Sequence, residues 1–184
     1  MPENKVQFNL KNVHYSKITV SGGNITYATP KAIAGAVSLS LDAQNSDTKF
    51  YADGMLYYTQ SFLSSYEGDL EVARINDDFL KDILGLSVSS TNSLLKEDVT
   101  VEPSPFALLF QIDGDQESEY YVFYYCTASK PSVNGATIED TKEPQTQSMT
   151  ITASPLSNGV IKARTTYSTT ATVKSGWFTS VYTD

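Results

Sequence analysis

Residues 120–128 read Tyr120-Tyr-Val-Phe-Tyr-Tyr-Cys-Thr-Ala128. Strand side chains alternate between two faces, which puts Tyr120, Val122, Tyr124, Cys126 and Ala128 on one face and Tyr121, Phe123 and Tyr125 on the other. Both faces are apolar and aromatic. A strand of that kind needs cover on two sides, so it belongs at the centre of a layered β fold rather than at its surface. The expectation is one face toward an opposing sheet and the other under a helix.

Working outward, Phe106 to Ile112 reads as a buried strand, with Asp113-Gly114-Asp115 as the turn that returns the chain into Tyr120. Ser148 to Ala153 alternates, and Pro155 to Gly159 turns the chain into an extended Val160 to Thr166. Val37-Ser-Leu-Ser-Leu-Asp42 alternates cleanly; Ala43 to Thr48 reads as a polar loop, and Phe50 to Tyr58 carries a second aromatic cluster around Asp53-Gly54. Ser21-Gly-Gly-Asn24 is a hairpin turn. Val6 to Leu10 is extended and reads as part of an N-terminal arm (about 1–12). Asn76 is placed to cap a helix whose first turn holds Asp77 and Asp78, with Phe79, Leu80, Ile83 and Leu84 as its apolar stripe and Gly85 as its stop. Residues 86–105 form a polar excursion, 130–147 are turn-rich, and Trp177, Phe178, Val181 and Tyr182 suit a short amphipathic turn. The sum is a single domain, mainly β, a sandwich or barrel with one short flanking α-helix.

Composition narrows the function. A net charge of −8 leaves no basic stripe for gripping phosphate, which argues against a nucleic-acid binder. The one cysteine, Cys126, lies in the aromatic strand and reads as a buried structural thiol in a reducing compartment. No signal-like apolar core follows Met1, and no run reaches the ~18 apolar residues of a membrane span. His14 is the one histidine, which removes most triad and acid–base schemes. Asp113 to Glu117 departs from the calcium-loop pattern and reads as a hairpin turn. No enzyme, cofactor or metal is expected.

Two patterns remain. Glu67, Asp69 and Glu71 put three like charges on one face of the strand Tyr66 to Ala73, roughly 7 Å apart, where they repel unless solvated. The chain is rich in aromatics, 12 Tyr and 8 Phe with 1 Trp, concentrated in Phe50 to Tyr58 and Tyr120 to Tyr125; a plain core explains some of them, but the need for cover on two sides suggests association.

These same segments resemble the major tail (tail tube) proteins of long-tailed bacteriophages, the phi13-type family. The likeness runs through Lys5-Val-Gln-Phe-Asn-Leu-Lys-Asn-Val-His-Tyr15, Phe50-Tyr-Ala-Asp-Gly54, Tyr66-Glu-Gly-Asp-Leu-Glu-Val-Ala73 and Asp78-Phe-Leu-Lys-Asp-Ile-Leu-Gly85. It continues through Phe106 to Asp115, Tyr124-Tyr-Cys-Thr-Ala-Ser-Lys-Pro-Ser132 and Thr150-Ile-Thr-Ala-Ser-Pro155, and is weakest over 86–105. The resemblance implies a structural virion protein that makes homohexameric rings by self-assembly. The rings would stack into the tail tube, around a tape-measure protein, with terminator and baseplate proteins at its ends. It implies host cytoplasm during assembly, the virion afterwards, and DNA ejected through the lumen without specific binding. On that reading Glu67, Asp69, Glu71, Ser38 and Ser40 are the candidate lumen residues. Val6, Phe8, Leu10, Phe50, Tyr51, Tyr57 and Tyr58, on the arm and on 43–65, are the candidate subunit contacts. The competing reading is a monomeric carbohydrate-binding β-sandwich with tyrosines as sugar platforms; a hydrolase on a β scaffold lacks its histidine and nucleophile.

Overall fold

The aromatic strand lies in the middle of one antiparallel sheet. The computed structural model describes residues 3–133, 135, 137 and 144–183; Met1 and Pro2 of the expected arm, and 134, 136 and 138–143 of the turn-rich stretch, lie outside them. The strands are β1 (Gln7–Ser21), β2 (Asn24–Tyr27), β3 (Lys31–Ala32), β4 (Ala36–Ala52), β5 (Met55–Val72), β6 (Ser87–Val88), β7 (Leu95–Lys96), β8 (Phe106–Gly114), β9 (Ser118–Ala128), β10 (Gln147–Ala153) and β11 (Lys162–Arg164); the helices are α1 (Asp77–Asp82) and α2 (Ala171–Gly176). The sheet order is β2-β1-β8-β9-β10-β5-β4, with β3 on β1 and β11 on β9, while β6 and β7 form a small hairpin of their own.

Strand β9 does not alternate as expected. Phe106 pairs with Cys126 but Leu108 pairs with Phe123, so an extra residue at Tyr124–Tyr125 opposes Ala107. A bulge reverses the phase of every side chain beyond it. Tyr121 and Phe123 therefore share the inner core with Cys126 and Ala128, whereas Tyr120, Val122 and Tyr124 join a second cluster on the opposite face. The bulge also lets β9 change partners: β11 pairs with residues 121–123 and β10 with residues 126–128.

The inner core draws side chains from both ends of the sheet, Val13 and Tyr15 of β1 as well as Leu39 and Leu41 of β4. β1 and β4 also approach each other, so the sheet curls over into a sandwich around this core. Helix α1 closes one end. At six residues it is too short to persist alone. It is held by fully buried Phe79 and Ile83, with the Phe79 ring edge-on to Tyr15 and Phe106 at 5.0 and 5.4 Å. Asn76 takes the N-cap position, but its side-chain amide donates to the Ala32 carbonyl instead of capping the helix.

The helix lies on the inner-core side, so it does not cover the other face of β9. That cover is the C-terminal segment, a second short helix, α2, followed by Trp177, Phe178, Val181 and Tyr182, which pack on Tyr120, Val122 and Tyr124. Tyr124 donates its hydroxyl to the Tyr182 carbonyl, and Trp177 its indole N–H to that of Tyr121. Cys126 is fully buried, and burial pushes its thiol well above the ordinary range.

The expected arm is the leading half of β1, paired with β8 from Gln7↔Gly114 through Lys11↔Gln111. Asn4 fixes it: its side-chain oxygen accepts the backbone N–H groups of Gln116 and Glu117, and its amide donates to the Glu117 carbonyl. The turn these bonds satisfy spans residues 115–117, two residues later than expected, because β8 continues to Gly114.

A polar tie joins α1 to the sheet. Tyr15 donates its buried hydroxyl to Asp82 at 2.9 Å, and Lys31 reaches the same carboxylate oxygen at 2.7 Å. The Lys31 hydrogen bond, with help from Tyr15, holds Asp82 below the ordinary carboxylate range. A depressed carboxylate stabilises the fold above its unfolded-state value of about 3.9 and loses that contribution as pH falls through its folded-state value. We expect Asp82→Asn to lower the unfolding free energy at pH 7 by about 1–2 kcal/mol, the partial exposure of the pair discounting a charged hydrogen bond. In urea titrations across pH, the gap from the parent should close below about pH 4.

Candidate functional site

Two surfaces stand apart from ordinary protein exterior, and both belong to the β4–β5 hairpin. Its strands are 17 and 18 residues long and pair along their whole length, from Ala36↔Val72 to Ala52↔Met55, through register shifts at Ala36/Ser38, Gln44/Asn45 and Phe50/Tyr51. The expected polar loop 43–48 is thus strand. Its five polar side chains, Gln44 to Thr48, are exposed and need no core, so composition resembled a loop while cross-strand pairing decided otherwise. Strand β10 supports β5 over Tyr66–Val72 alone. Beyond it, residues 43–65 form a two-stranded ribbon, roughly 30 Å long at ~3.3 Å per residue.

The ribbon ends in the turn expected from Asp53-Gly54. Both residues have positive φ, 52° and 77°, as a two-residue turn matched to strand twist requires. The stem is mostly polar, with Asp47↔Ser61, Thr48↔Gln60 and Lys49↔Thr59 as cross-strand pairs, and carries Phe62 and Leu63 exposed nearer the base. The tip is apolar. Phe50, Tyr51, Met55, Leu56, Tyr57 and Tyr58 are all more than half exposed, Tyr57 to 75%, and the rings of Phe50 and Tyr57 meet edge-on at 6.5 Å. An isolated two-stranded ribbon is marginal in water, and soluble monomers rarely display so large an apolar cluster.

The second surface lies at the ribbon's base. Pairing places Ser38, Glu71 and Ser148 in one row, Ser40, Asp69 and Thr150 in the next, and Asp42, Glu67 and Thr152 in the third. The three acidic residues and two serines singled out from sequence are therefore brought together on one sheet face. Ser38, Ser40, Asp42, Glu67, Asp69 and Ser148 are exposed. Glu71 accepts hydrogen bonds from Thr146 (2.6 Å) and Ser38 (2.9 Å), and these hold its carboxyl below the ordinary range. Thr150 donates to Asp69 at 2.8 Å. Hydroxyls on both sides thus partner the carboxylates and offset their mutual repulsion. Sequence reading missed the β10 hydroxyls, although the alternation Ser148, Thr150, Thr152 carried the signal.

The remaining candidate contacts lie elsewhere. Val6 and Phe8 are exposed, Phe8 to 65%, and Leu10 is half-buried. Phe8 and Leu10 line an apolar cavity of about 550 Å³ between the leading half of β1 and the start of β4, with Leu39, Ile112 and Tyr121 in its walls. The stretch 86–105, expected to be polar, carries the β6–β7 hairpin and exposes Val88, Leu94 and Val99.

His14 lies against the Asn12 carbonyl through Nδ1 and stacks on Phe178 at 4.6 Å. Asp113 pairs with Lys11 at 2.6 Å and accepts from Ser118. Among the described residues no group of His, Cys, Asp and Glu could hold a metal ion, and no helix is long and apolar enough to cross a membrane.

Because Glu67 and Asp69 face water, Glu67→Gln and Asp69→Asn should each unfold within about 0.5 kcal/mol of the parent. Thermal denaturation at pH 7 checks this; a larger loss would mean that the acidic row is structural. Searches against protein-family models and against curated proteins find no match to this chain, so its surfaces carry the functional reading.

Proposed function

We propose that the chain is the building block of a self-assembling hollow tube, the tail tube of a long-tailed bacteriophage, made of stacked hexameric rings. The observation that carries this reading is the β4–β5 ribbon, whose exposed aromatic tip stands beyond the reach of the protein's own core. An apolar element of that length is stabilised by burial against another chain, at roughly 25 cal/mol per Å² of apolar area covered. Tip aromatics of ~150–250 Å² each supply several kcal/mol per contact, the scale an assembly needs. The leading half of β1 and the outer edge of β4 carry unpaired backbone groups that neighbours in a ring can satisfy.

The acidic face suits the inside of such a tube. DNA is a polyanion whose binding is driven by release of counterions from phosphate–cation contacts. The three rows of carboxylates and hydroxyls contain no basic residue, so they repel phosphate mildly while remaining hydrated. DNA would slide past them without being held. In this reading the chain is not an enzyme: its work is done by geometry, in the host cytoplasm during assembly and then in the virion. Tape-measure, terminator and baseplate proteins would set the tube's length and ends.

Electron microscopy of the purified protein at rising concentration is the direct test, with rings or tubes expected. Replacing Phe50, Tyr57 and Tyr58 by Ser should leave circular dichroism and melting temperature unchanged and abolish assembly. A monomer at every concentration that binds glycan would instead support the sugar-binding sandwich. The lumen assignment has its own check, since the native thiol is buried. Asp69→Cys should react with a bulky maleimide polymer at least tenfold more slowly in tubes than in monomers. Equal rates would place the acidic face outside.

A further inference from the structure

The same chain carries an apolar projection and, elsewhere, an apolar recess. We infer that they fit one another between copies: the ribbon tip around Asp53 seats in the cavity between β1 and β4 of a neighbouring protomer. The inference rests on the assembly reading above and names the receptor that reading leaves open.

The recess is a gap in the sandwich wall. Its rims are the leading half of β1, which has no second neighbour there, and the outer edge of β4, and its walls include Phe8, Leu10, Leu39, Ile112 and Tyr121. At about 550 Å³ it is larger than a single-side-chain void and falls within the range of pockets that enclose apolar ligands. One cation stands at its rim. The Lys162 ammonium lies 4.4 Å from the Tyr66 ring centroid, over the aromatic face, and has no carboxylate partner among the described residues.

The projection is complementary in chemistry. Its aromatic and aliphatic side chains match the apolar walls. Asp53, at the turn itself, is also without an ion-pair partner among the described residues and is the one carboxylate at the apolar tip, where it can meet Lys162. The tip cannot fill its own protomer's recess. The recess is walled by Leu39 and Leu41, and the β4–β5 pairing holds Ala52 and Met55 roughly 35 Å further along the strand. A knob and a hole at different places on one chain make a heterologous contact, which propagates into a closed ring or an open stack rather than stopping at a two-fold dimer.

Engineered cysteines test the contact, because the native thiol is buried and silent. Val37, on the recess, and Met55, beside the turn, are 53% and 69% exposed and too far apart in one protomer to bridge. Under oxidation, assembled Val37→Cys/Met55→Cys protein should give a covalent ladder beyond the dimer, whereas Met55→Cys alone should stop at dimer. Lys162→Glu should raise the concentration needed for assembly at least tenfold with an unchanged melting temperature. Tubes that give no ladder beyond dimer, together with a Lys162→Glu variant assembling at the parental concentration, would overturn this contact and leave the tube reading standing. A parent protein that forms no assembly at any concentration would overturn both.

Discussion

A single extra residue in β9 organises the molecule. The bulge at Tyr124–Tyr125 lets one strand feed two separate cores, an inner one through Phe123 and Cys126 and an outer one through Val122 and Tyr124. It also lets the strand exchange β11 for β10 along its length. Without that phase change Cys126 and Ala128 would point toward the outer layer, and the sheet would lose the inward residues on which β10 and β5 pack. The C-terminal segment covers the outer cluster on the β1–β8–β9 side, which leaves the β10–β5–β4 face open to water. The exposed acidic surface is thus a consequence of where the bulge sends the apolar residues.

Much of this was legible in the sequence because periodicity was intact where a strand is half-buried. The alternations at 37–42, 66–72 and 148–153 are observed as β4, β5 and β10, and the helix signals at Asp77, Asp78 and Gly85 sit where α1 begins and where the chain leaves it. The failures share one physical cause, which is that pairing outranks local composition. Residues 43–48 are strand because their partners in 60–66 hold them, and the turn 115–117 sits where Asn4, more than a hundred residues away, accepts its backbone N–H groups. The bulge in β9 has no compositional mark, since Phe123, Tyr124 and Tyr125 are alike in kind and either phase of the alternation reads as apolar. The acidic row was found by its spacing, whereas its hydroxyl partners on β10 emerged once the register was known.

That hydroxyl lattice bears on how three carboxylates can share one face. Each row sets an acidic side chain between side chains of β4 and β10 that are hydroxyls in all but one case, Asp42. Hydrogen bonds from Thr146 and Ser38 favour the ionised form of Glu71, and the Thr150 hydroxyl supplies Asp69 with a polar partner across the strand pair.

The ribbon is not a flat ladder. Its pairing is interrupted twice, by register shifts at Gln44/Asn45 and at Phe50/Tyr51, which leave Ser64 and Tyr57 as extra residues on β5. A flat, unbroken edge of this length would template indiscriminate cross-β stacking. Each interruption coils the ribbon and breaks the repeat of free N–H and C=O groups, so an identical ribbon cannot lie flush along it. The feature that makes the chain adhesive is thereby denied the geometry of an amyloid seed.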